Sequence, residues 1–221
     1  MSVLGVAEVA AELGVSPRRV RQMLADGGLA GERVGRGWVV ESKQLRRVGH
    51  SRPAVGRPWS PASAWAVLAL ADGEDPDLSP VERSRARRRL ALGLERVAGR
   101  LASRADRRWF YVHPGVLDRL GAGCEVVRTG ISAVAEHGVD LVVTHGFEGY
   151  VRASDLGGLE DRFGLDDQSV RPNVLLRVVD DSVWPFQPGQ VAAGRAVVAV
   201  DLVESEEPRS RRAGVDLANL K

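Results

Sequence analysis

The stretch that decides the fold is Leu13-Gly14-Val15-Ser16-Pro17. A short amphipathic segment lies on each side of it. Before it, VAEVAAEL (6–13) places Val6, Val9, Ala10 and Leu13 at the three- and four-residue spacing of one helical face. After it, PRRVRQMLA (17–25) gathers Val20, Met23 and Leu24 on one face and turns Arg18, Arg21, Gln22 and Ala25 away from it. The junction is punctuated as a helix stop followed by a helix start. Gly14 suits the positive φ of a C-terminal cap. Ser16 can accept a hydrogen bond from the free amides of the next turn, and Pro17 fits the first helical position. Two helices joined by so short a turn form a helix-turn-helix, which presents its second helix to the major groove.

Working outward, Gly27 and Gly28 break the second helix. LAGERV (29–34) and GWVVE (37–41) read as two short strands about Gly35-Arg36-Gly37, a hairpin with a basic tip. Trp38 reads as core of this wing rather than as a base contact. Ser42 caps a third short helix through residue 48, with Leu45 as its apolar contact back to the first two. The ordered combination LGVSPRRVRQMLADGGLAGERVGRGWVVESKQL (13–45) resembles the winged helix-turn-helix of the excisionase and MerR-like group. That group combines a leucine-glycine-valine-serine turn, a basic recognition helix and a valine-glycine-arginine-x-tryptophan wing. The resemblance implies double-stranded DNA as partner. Arg18, Arg21 and Gln22 are then expected to face bases, because guanine edges suit Arg and adenine edges suit Gln. Arg19 lies nearer the flank and is expected on phosphate. Arg33 and Arg36 would contact phosphate or the minor groove, and Ser16 with Pro17 would set the helix N-terminus against a phosphate.

Charge supports a polyanionic partner. The 221 residues carry a formal net charge of +2, but residues 1–108 hold roughly +8 and residues 109–221 roughly −6. Lys43 and Lys221 are the only lysines among many arginines, a usage that suggests a GC-rich genome, so where the arginines sit says more than their total. The apolar share is ordinary for a soluble globular chain. No run approaches the ~18 apolar residues of a membrane span, and no basic segment followed by an apolar stretch opens the chain as a signal peptide would. Cys124 is the single cysteine. It excludes an internal disulfide and a multi-cysteine zinc site, and suits the cytoplasm.

GHSRPAVGRPWS (49–60) reads as a basic linker, with Arg52 and Arg57 as secondary phosphate contacts or as parts of a solvated tether. PASAWAVLALA (61–71) is apolar almost all round and is expected to be a buried helix. The acidic loop at 72–77 lacks the alternation and distal Glu of an EF-hand. Ser79-Pro80-Val81-Glu82 is a capping box, predicting a long helix to residue 104 with a Leu90, Leu94, Val97, Leu101 stripe. Its arginines, Arg85 and Arg88 among them, make either a second phosphate-contacting surface or a solvated face. Strands are expected at 108–113, 124–129, 139–144, 147–151 and 174–179. Short helices are expected after Pro114 and after Ser154 or Asp155. AVVAVDLVE (196–204) allows a strand by periodicity. Helix is preferred because Asp201 and Glu204 sit where a surface face would lie. A terminal helix follows over 209–220.

The candidate catalytic residues are Cys124, His113, Ser132, His137, Asp140, His145 and Asp155. They form no HExxH, CxxC, GxSxG, P-loop or dinucleotide-binding motif, so no catalytic site, metal or cofactor is expected. Trp184-Pro185-Phe186 reads either as a plug at a sheet edge or as a partner contact.

EGYVRASDL (148–156), NVLLRVV (173–179), WPF (184–186) and VVAVDLVESEEPRSRRAG (197–214) resemble the tail of actinobacterial helix-turn-helix proteins similar to antitoxins of the AbiE-type (type IV) toxin–antitoxin systems. That resemblance implies a nucleotidyltransferase-type toxin as partner. The N-terminal module departs from the usual form of that family. The expected architecture is α+β and multidomain: a winged helix-turn-helix at 1–48, a linker at 49–60, a helical segment at 61–107 and a mixed α/β domain at 108–221 for homodimerisation or partner binding. The expected function is a cytoplasmic, sequence-specific DNA-binding transcriptional regulator, with an autoregulating antitoxin as the narrower form. The alternatives are a toxin-neutralising interaction module whose helix-turn-helix no longer reads DNA, and a nucleic-acid-processing enzyme built on His137, Asp140 and His145.

Overall fold

A short strand precedes the first helix: β1 (Val3–Gly5) pairs antiparallel with β3 (Gly37–Glu41), Leu4 opposite Val40. Three residues are too few to show alternation, and no strand was expected ahead of the helix at Val6. The computed structural model describes residues 3–13, 16–25, 29, 31–35, 37–41, 57–123, 125–141 and 146–220. It divides into two units, Met1–Pro53 and Ala54–Lys221.

In the first unit, α1 (Val6–Leu13) and α2 (Pro17–Ala25) follow β1. The Glu8 carboxylate accepts the Gly5 N–H at 2.8 Å and closes the first turn of α1. Ser16 does the same for α2, its hydroxyl accepting the Arg19 N–H at 3.3 Å. β2 (Glu32–Val34) and β3 form an antiparallel hairpin with Arg33 opposite Trp38, and the sheet order is β1-β3-β2. Gly35 at the tip takes φ +61°. Val9, Ala10, Val20, Leu24, Leu29 and Val40 form the core, with Trp38 packed at its side. Gly31 lets α2 approach the hairpin, because a Cβ there would lie 2.6 Å from Leu24 Cδ2 and 2.9 Å from the Val39 carbonyl oxygen. Gly14, the expected helix at 42–48 with Ser42 and Leu45, and the arginines Arg36 and Arg52 lie outside the described residues.

The second unit is built on a mixed sheet of order β4-β7-β6-β5. β4 (Asp106–Phe110) and β7 (Val174–Val179) are antiparallel, as are β5 (Val127–Arg128) and β6 (Phe147–Arg152), while β6 and β7 run parallel. Alternation along β7 separates two cores. Val174, Leu176 and Val178 face a cluster with Leu120 and Leu159, which come from α6 (Leu117–Ala122) and α7 (Leu156–Phe163). Val179 and Tyr150 join the other cluster, with Trp65 and Leu68 of α3 (Pro61–Ala71) and the apolar residues of α8 (Arg195–Val203). The segments 61–107 and 108–221 thus share one core. Trp59, read as linker, is buried in it.

Three expectations change. The long helix breaks into α4 (Pro80–Leu90), α5 (Leu94–Val97) and two 3-10 turns, because Gly93 adopts φ +88°. The capping box at Ser79 and Glu82 forms as read, and Leu94, Val97 and Leu101 are buried from separate pieces. The strand at 124–129 shrinks to β5, and Val139–Leu141 is irregular, with Cys124 and residues 142–145 outside the described part. Residues 195–203 are helical, but for a different reason from the one given: Asp201 is 1% exposed and does not lie on a surface face. Asp72 of the acidic loop caps this helix, accepting the Ala196 N–H at 2.7 Å. Asp75 of that loop pairs with Arg83. The terminal helix is α9 (Pro208–Asn219), where Glu207 accepts the Ser210 N–H at 2.6 Å. Among the described residues no helix is long and apolar enough to cross a membrane.

Candidate nucleic-acid interface

The two faces of α2 have opposite chemistry. Val20 and Leu24 are buried in the unit's core, while Pro17, Arg18, Arg19, Arg21 and Gln22 are exposed. A 100° turn per residue puts Arg18, Arg21 and Gln22 on one outward strip, with Arg19 beside it. Ser16, exposed at the N-terminus, fixes where this strip begins. Arg18, Arg19, Arg21 and Arg33 form no ion pair among the described residues. All four residues are exposed, which suits bidentate contact with base edges or phosphates. Arg33 is exposed on β2 directly opposite Trp38, so the hairpin presents a second cation beside the helix. Arg36 falls outside the described residues, and Trp38 is half-buried against the side of the core.

The histidines and their neighbours are held separately. His113 accepts the Gly115 N–H at 3.2 Å as the cap of a 3-10 turn. His137 Nε2 contacts the Ala193 carbonyl oxygen at 2.9 Å. Ser132 accepts the Glu148 N–H at 2.9 Å. Asp140 is exposed, and Asp155 precedes α7 without a side-chain cap bond. His145 and Cys124 lie outside the described residues. Trp184-Pro185-Phe186 packs inward: Phe186 is buried against Trp65 and Tyr150, and the Arg152 guanidinium stacks on Trp184 at 4.6 Å.

Sequence reading missed a buried ionic network beneath α8. The Arg104 guanidinium donates to both oxygens of Glu204, at 2.7 and 2.9 Å, and to Tyr150 Oη at 2.9 Å, and it pairs with Asp201. Tyr150 and Thr129 each donate a hydroxyl to Asp201. Arg177 lies 3.2 Å from Asp201, 3.1 Å from Glu204 and 3.4 Å from Glu148. Burial pushes Glu148 up to about 7 against the pull of Arg177. Burial also works to raise Glu204, but Arg104 and Arg177 outweigh it and hold that carboxyl at about 2. The signal was present in the sequence. Arg177 stands alone in VLLRVV, and Asp201 stands alone in AVVAVDLV, each charge enclosed by apolar neighbours. The network pins the 102–104 turn, β6, β7 and α8 together, and it is far in sequence from the α2 strip.

No curated protein and no solved structure matches the chain. Residues 3–48 match the model of the family described as a helix-turn-helix domain. With its buried apolar face, its outward arginine strip and that match, the N-terminal unit is a helix-turn-helix DNA-binding domain.

Proposed function

We propose that the protein is a sequence-specific regulator of transcription that reads double-stranded DNA with α2. The observation that carries this reading is the exposed strip of Arg18, Arg21 and Gln22 on a helix whose other face buries Val20 and Leu24, within the matched segment. Arg18, Arg21 and Gln22 contact base edges in the major groove, while Arg19, Arg33 and Ser16 hold the phosphate backbone. The hairpin acts as a wing of the excisionase and MerR-like kind. The decisive experiment titrates the protein against the DNA upstream of its own gene and against a scrambled duplex at two salt concentrations. Tight, selective binding that weakens steeply with salt supports the regulator. Equal, weak binding to both duplexes rejects it.

The narrower reading is an autoregulating antitoxin whose second unit holds a nucleotidyltransferase-type toxin. It rests on the resemblance of residues 148–156, 173–179 and 197–214 to antitoxin tails. Copurification of a stoichiometric nucleotidyltransferase from the native host would support it. Purification of the chain free of any such protein would reject it.

A further inference from the structure

Outside the helix-turn-helix, the described residues concentrate cations around Trp59. Arg85 and Arg88 are exposed on α4 and Arg89 is half-buried. Their i, i+3, i+4 spacing puts them on one side of the helix, neighbours about 5–6 Å apart at Cβ. Trp59 ties a second element to this side. Its ring lies under the Arg89 guanidinium at 4.6 Å, and its backbone N–H donates to the Arg100 carbonyl oxygen at 2.9 Å. The Ser103 hydroxyl donates to the Trp59 carbonyl oxygen. Trp59 thus links α4 through its ring to the Ala98–Arg100 turn through its backbone, and Arg57 is exposed two residues before it.

Among the described residues, carboxylates do not balance Arg85 and Arg88. Glu82, which feels Arg85, is engaged by the Ser79 N–H at 3.0 Å and the Ser79 hydroxyl at 2.6 Å. Arg85 and Arg88 form no ion pair among the described residues. Burial and the charges of Arg85 and Arg100 hold the Arg89 guanidinium below its ordinary range. Elsewhere on the same unit Arg83, Arg128 and Arg162 are matched by Asp75, Glu136 and Glu125. Like charges gathered without counter-charge are unfavourable alone and favourable once a polyanion covers them. Stacking on Trp59 fixes Arg89 in advance, so less freedom is lost when it contacts a phosphate. The groups are spread along a helix side rather than converging on one point, which suits an extended backbone over a single small anion.

We propose that Arg57, Arg85, Arg88 and Arg89, organised by Trp59, form a second phosphate-binding surface for duplex DNA. The choice of duplex rests on the helix-turn-helix reading. The surface begins four residues beyond the unit boundary at Pro53. It holds the backbone and reads no bases.

The test uses the full chain and duplexes of about 40 base pairs, roughly four helical turns. One duplex carries a sequence that the wild-type protein enriches from a random pool, one is scrambled, and a single-stranded RNA of equal length is run beside them. R85A/R88A, R85K/R88K and R18A/R21A are titrated between about 50 and about 200 mM salt. R85A/R88A is expected to weaken both duplexes alike, keep the sequence preference, and flatten the log–log salt slope by about 1.8. The affinity lost across that salt range then shrinks by about tenfold. R85K/R88K is expected to keep the wild-type slope, and R18A/R21A to lose the preference. If R85A/R88A keeps the wild-type slope while the wild-type protein discriminates, the helix-turn-helix reading stands and this surface is rejected. If the wild-type protein does not discriminate but R85A/R88A flattens the slope, the surface stands and base reading by α2 is rejected. A loss confined to the RNA, or a lysine pair as weak as the alanine pair, also overturns the proposal.

Discussion

Arg21 and Arg33 carry the same charge but have different tasks. Arg21 sits in the middle of the outward strip of α2, where a guanidinium can bridge the O6 and N7 atoms of a guanine. Replacing it with Ala is expected to cost about 1–3 kcal/mol on the preferred duplex and to relax selection at one base position. Arg33→Ala is expected to weaken all duplexes alike and to lower the salt slope by about 1. Binding titrations over a panel of single-base variants separate the two, and identical profiles for both substitutions would sink the assignment. Arg177 poses the opposite case. It is 2% exposed and faces three carboxylates. Arg177→Met leaves Asp201 and Glu204 short of counter-charge in a dry site, an expected loss of about 3–5 kcal/mol. Urea denaturation measures it, and a change under about 1 kcal/mol would mean the network adds little to stability. Composition alone did not separate these two arginines. Their immediate neighbours do: PRRVRQM is mixed, whereas VLLRVV encloses its charge in apolar residues.

At the scale of elements, local punctuation was the most legible information. The Ser16-Pro17 start, the Ser79 to Glu82 box and the Gly35 turn all appear where the sequence places them. The stops were harder. A stripe of Leu90, Leu94, Val97 and Leu101 at helical spacing suggested one continuous helix, yet each residue can reach the same core from separate short pieces. Gly93 decides the matter, and sequence cannot distinguish a glycine tolerated inside a helix from one that ends it. The two cases differ in the sign of one substitution. In a continuous helix, Gly→Ala stabilises by about 1 kcal/mol. At φ +88° a Cβ is strained, so Gly93→Ala is expected to destabilise by about 1–2 kcal/mol. A thermal melt gives the sign directly. The helix α8 shows a second limit. Its buried acid mimicked an amphipathic face, because Asp201 recurs at helical spacing whether it meets water or Arg104.

The whole second unit is tied by charges drawn from residues 104, 148, 177, 201 and 204, a long-range pairing that no local pattern encodes. That arrangement makes its stability depend on pH in two opposing ways. Glu148 has a folded value of about 7 against an ordinary 4.5, so the folded state holds its proton more tightly than the unfolded chain does. Its contribution is complete below pH 4.5 and is lost as pH rises from there to 7. The shift corresponds to about 3 kcal/mol. Glu204 has a folded value of about 2, so its contribution is present above pH 4.5 and is lost as pH falls toward 2. Together the two groups place a stability maximum near pH 4.5, with a decline on each side. Glu148→Gln removes the proton that is lost on the alkaline side, so the decline between pH 4.5 and 7 is expected to flatten while the acid limb remains. Urea unfolding of both proteins across that range, followed by tryptophan fluorescence, reads the difference. Trp59, Trp65, Trp109 and Trp184 all belong to the second unit, so the signal reports mainly on the unit that holds the network. Parallel curves for wild type and Glu148→Gln would show that Glu148 keeps its ordinary titration, with Arg177 offsetting its burial in full.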